Sequence, residues 1–150
     1  MKVEIAATLA AAPGPIWESM VASRQMVQWL AKEAQFDARV GKPYRVVLAG
    51  AGDEAETITG RVLAWVPEVR LSLSVTGAHL AGETTVTLFL ASLGDGRTKV
   101  TVMHDGFKRL PSKLRAAAME SAEQFWQDTL AKLAAHLGVA IVDTAAVAVK

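Results

Sequence analysis

The chain has 150 residues, 51% of them apolar, with a formal net charge of +1 and no cysteine. That length holds one domain with a substantial core, the balanced charge lacks the basic footprint of a nucleic-acid or anionic-membrane partner, and the missing thiols exclude disulfides, thiolate catalysis and cysteine-ligated zinc. The N-terminal MKVEIAATLAAAPGP does not have the layout of a signal peptide, so a cytoplasmic protein is expected.

In chain order, Val3, Ile5, Ala7 and Leu9 alternate with Lys2, Glu4, Ala6 and Thr8, which is the period of a half-buried strand. Pro13 and Pro15 then punctuate. Pro15 suits a first helical turn, and Ile16, Trp17, Met20 and Val21 gather on one side of a short helix. Ser23 is expected to cap a second short helix carrying Met26, Val27, Trp29 and Leu30. Phe36, Ala38 and Val40 alternate with Gln35, Asp37 and Arg39 before Gly41, predicting a strand; Tyr44, Val46 and Leu48 predict the next, before an AGAGDE turn. Further strands are expected over residues 56–66, 69–76, 83–93 and 97–105. Between the last two, Gly94-Asp95-Gly96 favours a tight type I′ hairpin. Parity assigns an inward face to Ile58, Val62 and Ala64, to Leu71, Leu73 and Val75, to Val86, Leu88 and Leu90, and to Val100, Val102 and His104.

From Pro111 to Gly138 the period changes. Leu114, Ala118, Ala122, Phe125, Trp126, Leu130, Leu133 and Leu137 share one stripe at 100° per residue, with Lys113, Glu120, Glu123, Gln124, Gln127 and Asp128 opposite. Pro111 or Ser112 marks the start and Gly138 the stop of a helix about 40 Å long. A stripe of that length needs an equally long apolar partner, which the inner face of a curved antiparallel sheet provides. The expected fold is therefore α+β: about seven strands wrapped around a long C-terminal helix, with two short helices after the first strand. Residues 1–138 form the domain, and 139–150 a tail. The tail is too short for a bilayer, which takes about 20 residues. It reads as a loosely packed extension, with a strand added to a sheet edge as the alternative, in its own subunit or across a homodimer.

Several motifs recur in a recognisable order: Ala11-Ala12-Pro13 before Ile16-Trp17, Trp29 at the end of the second helix, Phe36-Asp37 and Val40-Gly41, then Gly60-Arg61-Val62 leading to Pro67 and Arg70-Leu71. Thr98 to Thr101, His104-Asp105-Gly106-Phe107, and Trp126 with Leu130, Leu133 and Leu137 complete the set. On these residues the chain resembles the helix-grip fold of the START-like (SRPBCC) superfamily, and within it the branch of homologues of the activator of the Hsp90 ATPase. The resemblance implies an apolar cavity between sheet and long helix that holds a hydrophobic, lipid- or polyketide-like small molecule noncovalently, with no cofactor and no metal. It also implies two other classes, a cyclase- or hydrolase-type enzyme using the same cavity and a stress-related, co-chaperone-like interaction module; fold alone does not choose among them. Two positions depart from the pattern. Phe125 stands where relatives tend to have glycine before the helix tryptophan, and Lys42 replaces a second glycine after Val40-Gly41. Phe125 is expected to make the cavity smaller.

Within such a cavity Met26, Trp29, Phe36, Met103, Phe107, Met119 and Phe125 are large, adaptable apolar groups suited to a shape-selective mouth, with Ala122 among them on the helix stripe. Plain core packing is the competing reading. His104, at the inner end of its strand, can orient a ligand through one hydrogen bond or bond a nearby backbone carbonyl instead. Its neighbour Asp105 points to the other face, so the two form no acid-base pair. His79 and His136 are expected in solvent, and Glu54 and Glu56 on a strand edge. No HExxH, GxSxG, phosphate-cradling glycine loop or ligand-spaced His and carboxylate set appears, so the sequence assigns no catalytic residue.

Overall fold

The computed structural model describes residues 1–50, 56–77, 80 and 82–149. Strand β1 (Lys2–Leu9) leads into two short helices, α1 (Pro13–Val21) and α2 (Ser23–Trp29). Strands β2 (Ala31–Gln35), β3 (Pro43–Leu48), β4 (Thr57–Val66), β5 (Arg70–Gly77), β6 (Thr84–Gly94) and β7 (Arg97–Asp105) follow. Two single 3-10 turns then precede the long helix α3 (Arg115–Leu137), and β8 (Ile141–Val149) ends the chain. The strands form one sheet in the order β2-β3-β4-β5-β6-β7-β1-β8, antiparallel at every pairing. This is the expected helix-grip architecture.

In β1 the alternation is complete: Val3, Ile5, Ala7 and Leu9 are each at most 1% exposed, while the residues between them are half-buried. Leu130 and Leu133 come down from α3 onto the same core, and each such buried side chain is worth about 1.5–3 kcal/mol in area removed from water. The β6–β7 hairpin closes through Asp95 and Gly96 at φ 55° and 70°, the two positive values that a type I′ turn requires. α3 stops at Gly138, whose φ of 67° is the left-handed helix stop expected there.

Other positions depart from the expectation. Phe36–Val40 is not a strand: the chain pairs with β3 over Ala31–Gln35 instead, then turns away through the exposed Asp37–Arg39 ion pair, leaving Val40 64% exposed. Ser23 is the first residue of α2 rather than its cap, which is Ala22. Its hydroxyl instead receives the Phe36 amide at 3.0 Å, tying α2 to the end of β2. Leu114 falls in a 3-10 turn, where 100° spacing no longer applies, and is 45% exposed. In β4 the register shifts between Val62 and Ala64, so the inward row passes from Val62 to Trp65, whose ring meets Trp17 at 5.0 Å. Ala64 therefore leaves the row that parity assigned it. The tail is not the loose extension but the alternative to it, an eighth strand that pairs with β1 of its own subunit. Glu54, His79 and most of the AGAGDE turn lie outside the described residues. Among the described residues no helix is long and apolar enough to cross a membrane.

Candidate functional site

The buried side chains divide into two clusters. The larger joins β1, β5, β6, β7, α1 and α3, and the smaller gathers Met26, Ala31, Tyr44, Val46 and Leu48 around α2, β2 and β3. Residues of both clusters line a pocket of about 420 Å³ beneath α3. Its roof on the helix includes the small Ala118 and Ala122, both buried, which leave room that longer side chains would fill. Phe125, half-buried, descends beside them toward the smaller cluster and meets the ring edge of Trp126 at 5.0 Å and 82°.

The polar groups inside the pocket are tied to one another or to backbone. Trp126 donates its indole N–H to Nδ1 of His104 at 3.1 Å. An indole can only donate, so Nδ1 is an acceptor, and the neutral ring carries its hydrogen on Nε2, 2.7 Å from Thr84 Oγ1. The Thr84 hydroxyl in turn points to the Val75 carbonyl at 3.5 Å. Burial pushes the His104 pKa down to about 4, which keeps the ring neutral at pH 7. Phe107 packs against the imidazole at 4.8 Å. Tyr44 donates its hydroxyl to the Ser74 carbonyl at 2.6 Å, and burial raises its phenol above the usual range. That contact dictates a glycine in the next strand: a Cβ on Gly60 would stand 1.9 Å from the same carbonyl oxygen. Trp29 donates to the Ser19 carbonyl at 2.9 Å.

Of the residues singled out from sequence, Met26, Trp29, Phe36, His104, Ala122 and Phe125 line the pocket. Met103, Phe107 and Met119 do not. Met103 alternates with Val102 and His104 along β7 and pairs across to Glu4 and Thr87, so it belongs to the outer face. Phe107, fully buried, fills the turn after β7, and Met119, 2% exposed, is core. His104 has both ring nitrogens engaged by Trp126 and Thr84 rather than by a backbone carbonyl. His136, expected in solvent, is half-buried, stacks on Trp29 and bonds Gln25.

Sequence reasoning missed part of the lining. Leu73 lay on an inward row and Tyr44 alternated with Val46 and Leu48 along its strand, a signal that was not used for the site. Gln124 and Asp128 had been placed on the solvent side of α3, yet together with Glu56 and Ser121 they edge the pocket, because it opens along the flank of the helix. A stripe drawn at 100° intervals has no flank. Among the described residues no group of three or more His, Asp or Glu side chains converges as a metal site.

Solved structures share this fold. A Rhodobacter sphaeroides protein is 26% identical, with a TM-score of 0.76 over 91% of this chain and 92% of its own. An HSP90 activator from Plasmodium falciparum, 17% identical, superposes with a TM-score of 0.75 over 94% of this chain and 99% of its own. DynU16, a putative protein in the dynemicin biosynthetic locus, is 23% identical with a TM-score of 0.73; 91% of this chain is covered, but it spans only 47% of that protein. At those identities the last two speak for the fold alone. No sequence match was found among curated proteins. The family model for "Activator of Hsp90 ATPase homolog 1-like protein" matches residues 10–138, which hold β2 to β7 and all of α3 and leave out β1 and β8, and the chain belongs to that family.

Proposed function

We propose that the pocket beneath α3 binds a hydrophobic small molecule noncovalently, with Met26, Trp29, Phe36, Ala122 and Phe125 against its apolar body. One observation carries the reading: about 420 Å³ of space lined mostly by apolar side chains, where two core clusters stop short of merging. That volume lies within the range of small-molecule sites, which are mainly apolar with a few placed polar groups. The family description is compatible with it.

A cyclase- or hydrolase-type enzyme on the same pocket is the second class. It is disfavoured by the engagement of His104 and Tyr44, the titratable groups deepest in the lining, within the protein's own hydrogen bonds. A co-chaperone-like role has the family description behind it and no surface feature described above.

The test uses neutral apolar probes such as Nile red and dodecanol. Trp29 and Trp126 line the pocket, so binding should change tryptophan emission and raise the melting temperature. At 100 times the dissociation constant the added stability is about 2.7 kcal/mol. If a broad set of neutral apolar compounds leaves both emission and melting unchanged, the reading falls.

A further inference from the structure

The polar groups that line the pocket's interior are engaged with the protein itself. Trp29 donates to the Ser19 carbonyl, Tyr44 to the Ser74 carbonyl, Trp126 to the His104 ring and Thr129 to the Phe125 carbonyl, while the second ring nitrogen of His104 meets the Thr84 hydroxyl. Among the described residues no buried side-chain nitrogen or oxygen lacks a partner.

The backbone is closed in the same way. Most of the lining comes from strands and helices, whose amides and carbonyls bond one another. Lining residues outside them are tied as well. The Phe36 amide and carbonyl both bond the Ser23 hydroxyl, at 3.0 and 3.3 Å. Leu30 donates to Met26 and accepts from Ala49, the Glu56 carbonyl accepts from Leu48, and the Leu80 amide donates to Gly77. Along the flank of α3, Ser121, Gln124 and Asp128 are exposed, so a ligand's polar end can stay in water there. A hydroxyl or carbonyl carried further in gives up its bonds to water and meets groups that already have partners, a loss that hydrocarbon does not incur.

Resting on the ligand-binding reading above, we propose that the pocket takes ligands with an unoxygenated hydrocarbon body, aliphatic or aromatic, and discriminates against polyhydroxylated ones of the same shape, with a polar end left at the α3 flank. Shape does not separate these two classes, because a hydroxyl adds little volume. The closed hydrogen bonding does.

The experiment displaces Nile red with a rigid pair, 4-phenylphenol and 4,4′-dihydroxybiphenyl, at pH 7.4, where both are neutral. The first can leave its hydroxyl at the flank; the second, unable to fold back, must bury one. Each affinity is divided by the compound's octanol–water partition coefficient, because octanol supplies hydrogen-bond partners and a closed pocket does not. The normalised affinity of the diol should be about tenfold or more below that of 4-phenylphenol. Trp126→Phe removes the indole donor from Nδ1 of His104, and Tyr44→Phe removes the hydroxyl from the Ser74 carbonyl. Either opened group gives a buried hydroxyl a partner, so at least one variant should bring the ratio several-fold closer to one, and a general weakening of binding cancels from it. If neither variant folds, the parent ratio decides alone. Equal normalised affinities in the parent, no displacement by 4-phenylphenol, or a ratio that neither folded variant moves overturns selection for hydrocarbon and leaves ligand binding standing. Failure of Nile red and of both biphenyls to bind overturns the two together.

Discussion

His104 shows how one residue can be placed correctly while its partners stay hidden. Parity along β7 put it on the inner face, where it is. Its partners, Thr84 on β6 and Trp126 on α3, lie 20 and 22 residues away in sequence, and no local pattern announces them. The network makes a specific demand on pH. An unfolded histidine protonates near pH 6.5, whereas burial holds His104 at about 4. Between those values the unfolded chain binds the extra proton, so stability falls as pH drops from 6.5 to 4, by about 3 kcal/mol over the full window, and the term is absent above 6.5. Urea melts across this range should show that slope, and His104→Gln should flatten it; an equal slope in the variant would mean that other groups produce it. Phe125 is the second residue to weigh. Its ring borders open space instead of being packed on all sides, so Phe125→Ala should cost less than the 3–5 kcal/mol usual for a core phenylalanine, about 1–2 kcal/mol, and admit bulkier ligands. Thermal melts with an apolar size series read both effects, and a full core-sized loss with unchanged ligand limits would place the ring in the core.

At the scale of elements, legibility followed periodicity. β1 could be read from alternation alone, the β6–β7 turn from Asp95-Gly96, and the end of α3 from Gly138, because each feature is encoded within a few neighbouring residues. The errors arose where pairing partners decided. Phe36–Val40 alternates well, yet β3 is already paired with Ala31–Gln35, and alternation without a neighbour to bond does not make a strand. The bulge between Val62 and Ala64 exchanges the faces of the rest of β4 without a sequence mark. Met103 was a different kind of miss, since β7 parity already placed it outside. Gly60 is the clearest dictate from element packing, because β3, β4 and β5 meet there through the Tyr44 hydroxyl. Gly60→Ala would drive a methyl group into the Ser74 carbonyl and should destabilise the protein by about 3 kcal/mol. A chemical denaturation midpoint close to that of the parent would show that the strands can part at no cost.

For the whole molecule, sheet, long helix and two small helices were expected from sequence, whereas the pocket's shape was not. Its volume depends on how far α3 stands from the sheet and on which flank it opens, and those quantities are set by many side chains at once. The five methionines offer a direct reading of it. Met20 and Met26 line the pocket, while Met119 is buried core and Met103 lies on the outer sheet face. With 13C-labelled methionine methyl groups, titration with dodecanol followed by NMR should move the Met20 and Met26 signals in a saturable way and leave those of Met103 and Met119 in place. Signals that stay fixed for Met20 and Met26, or that move equally for Met103, would contradict a ligand site beneath α3.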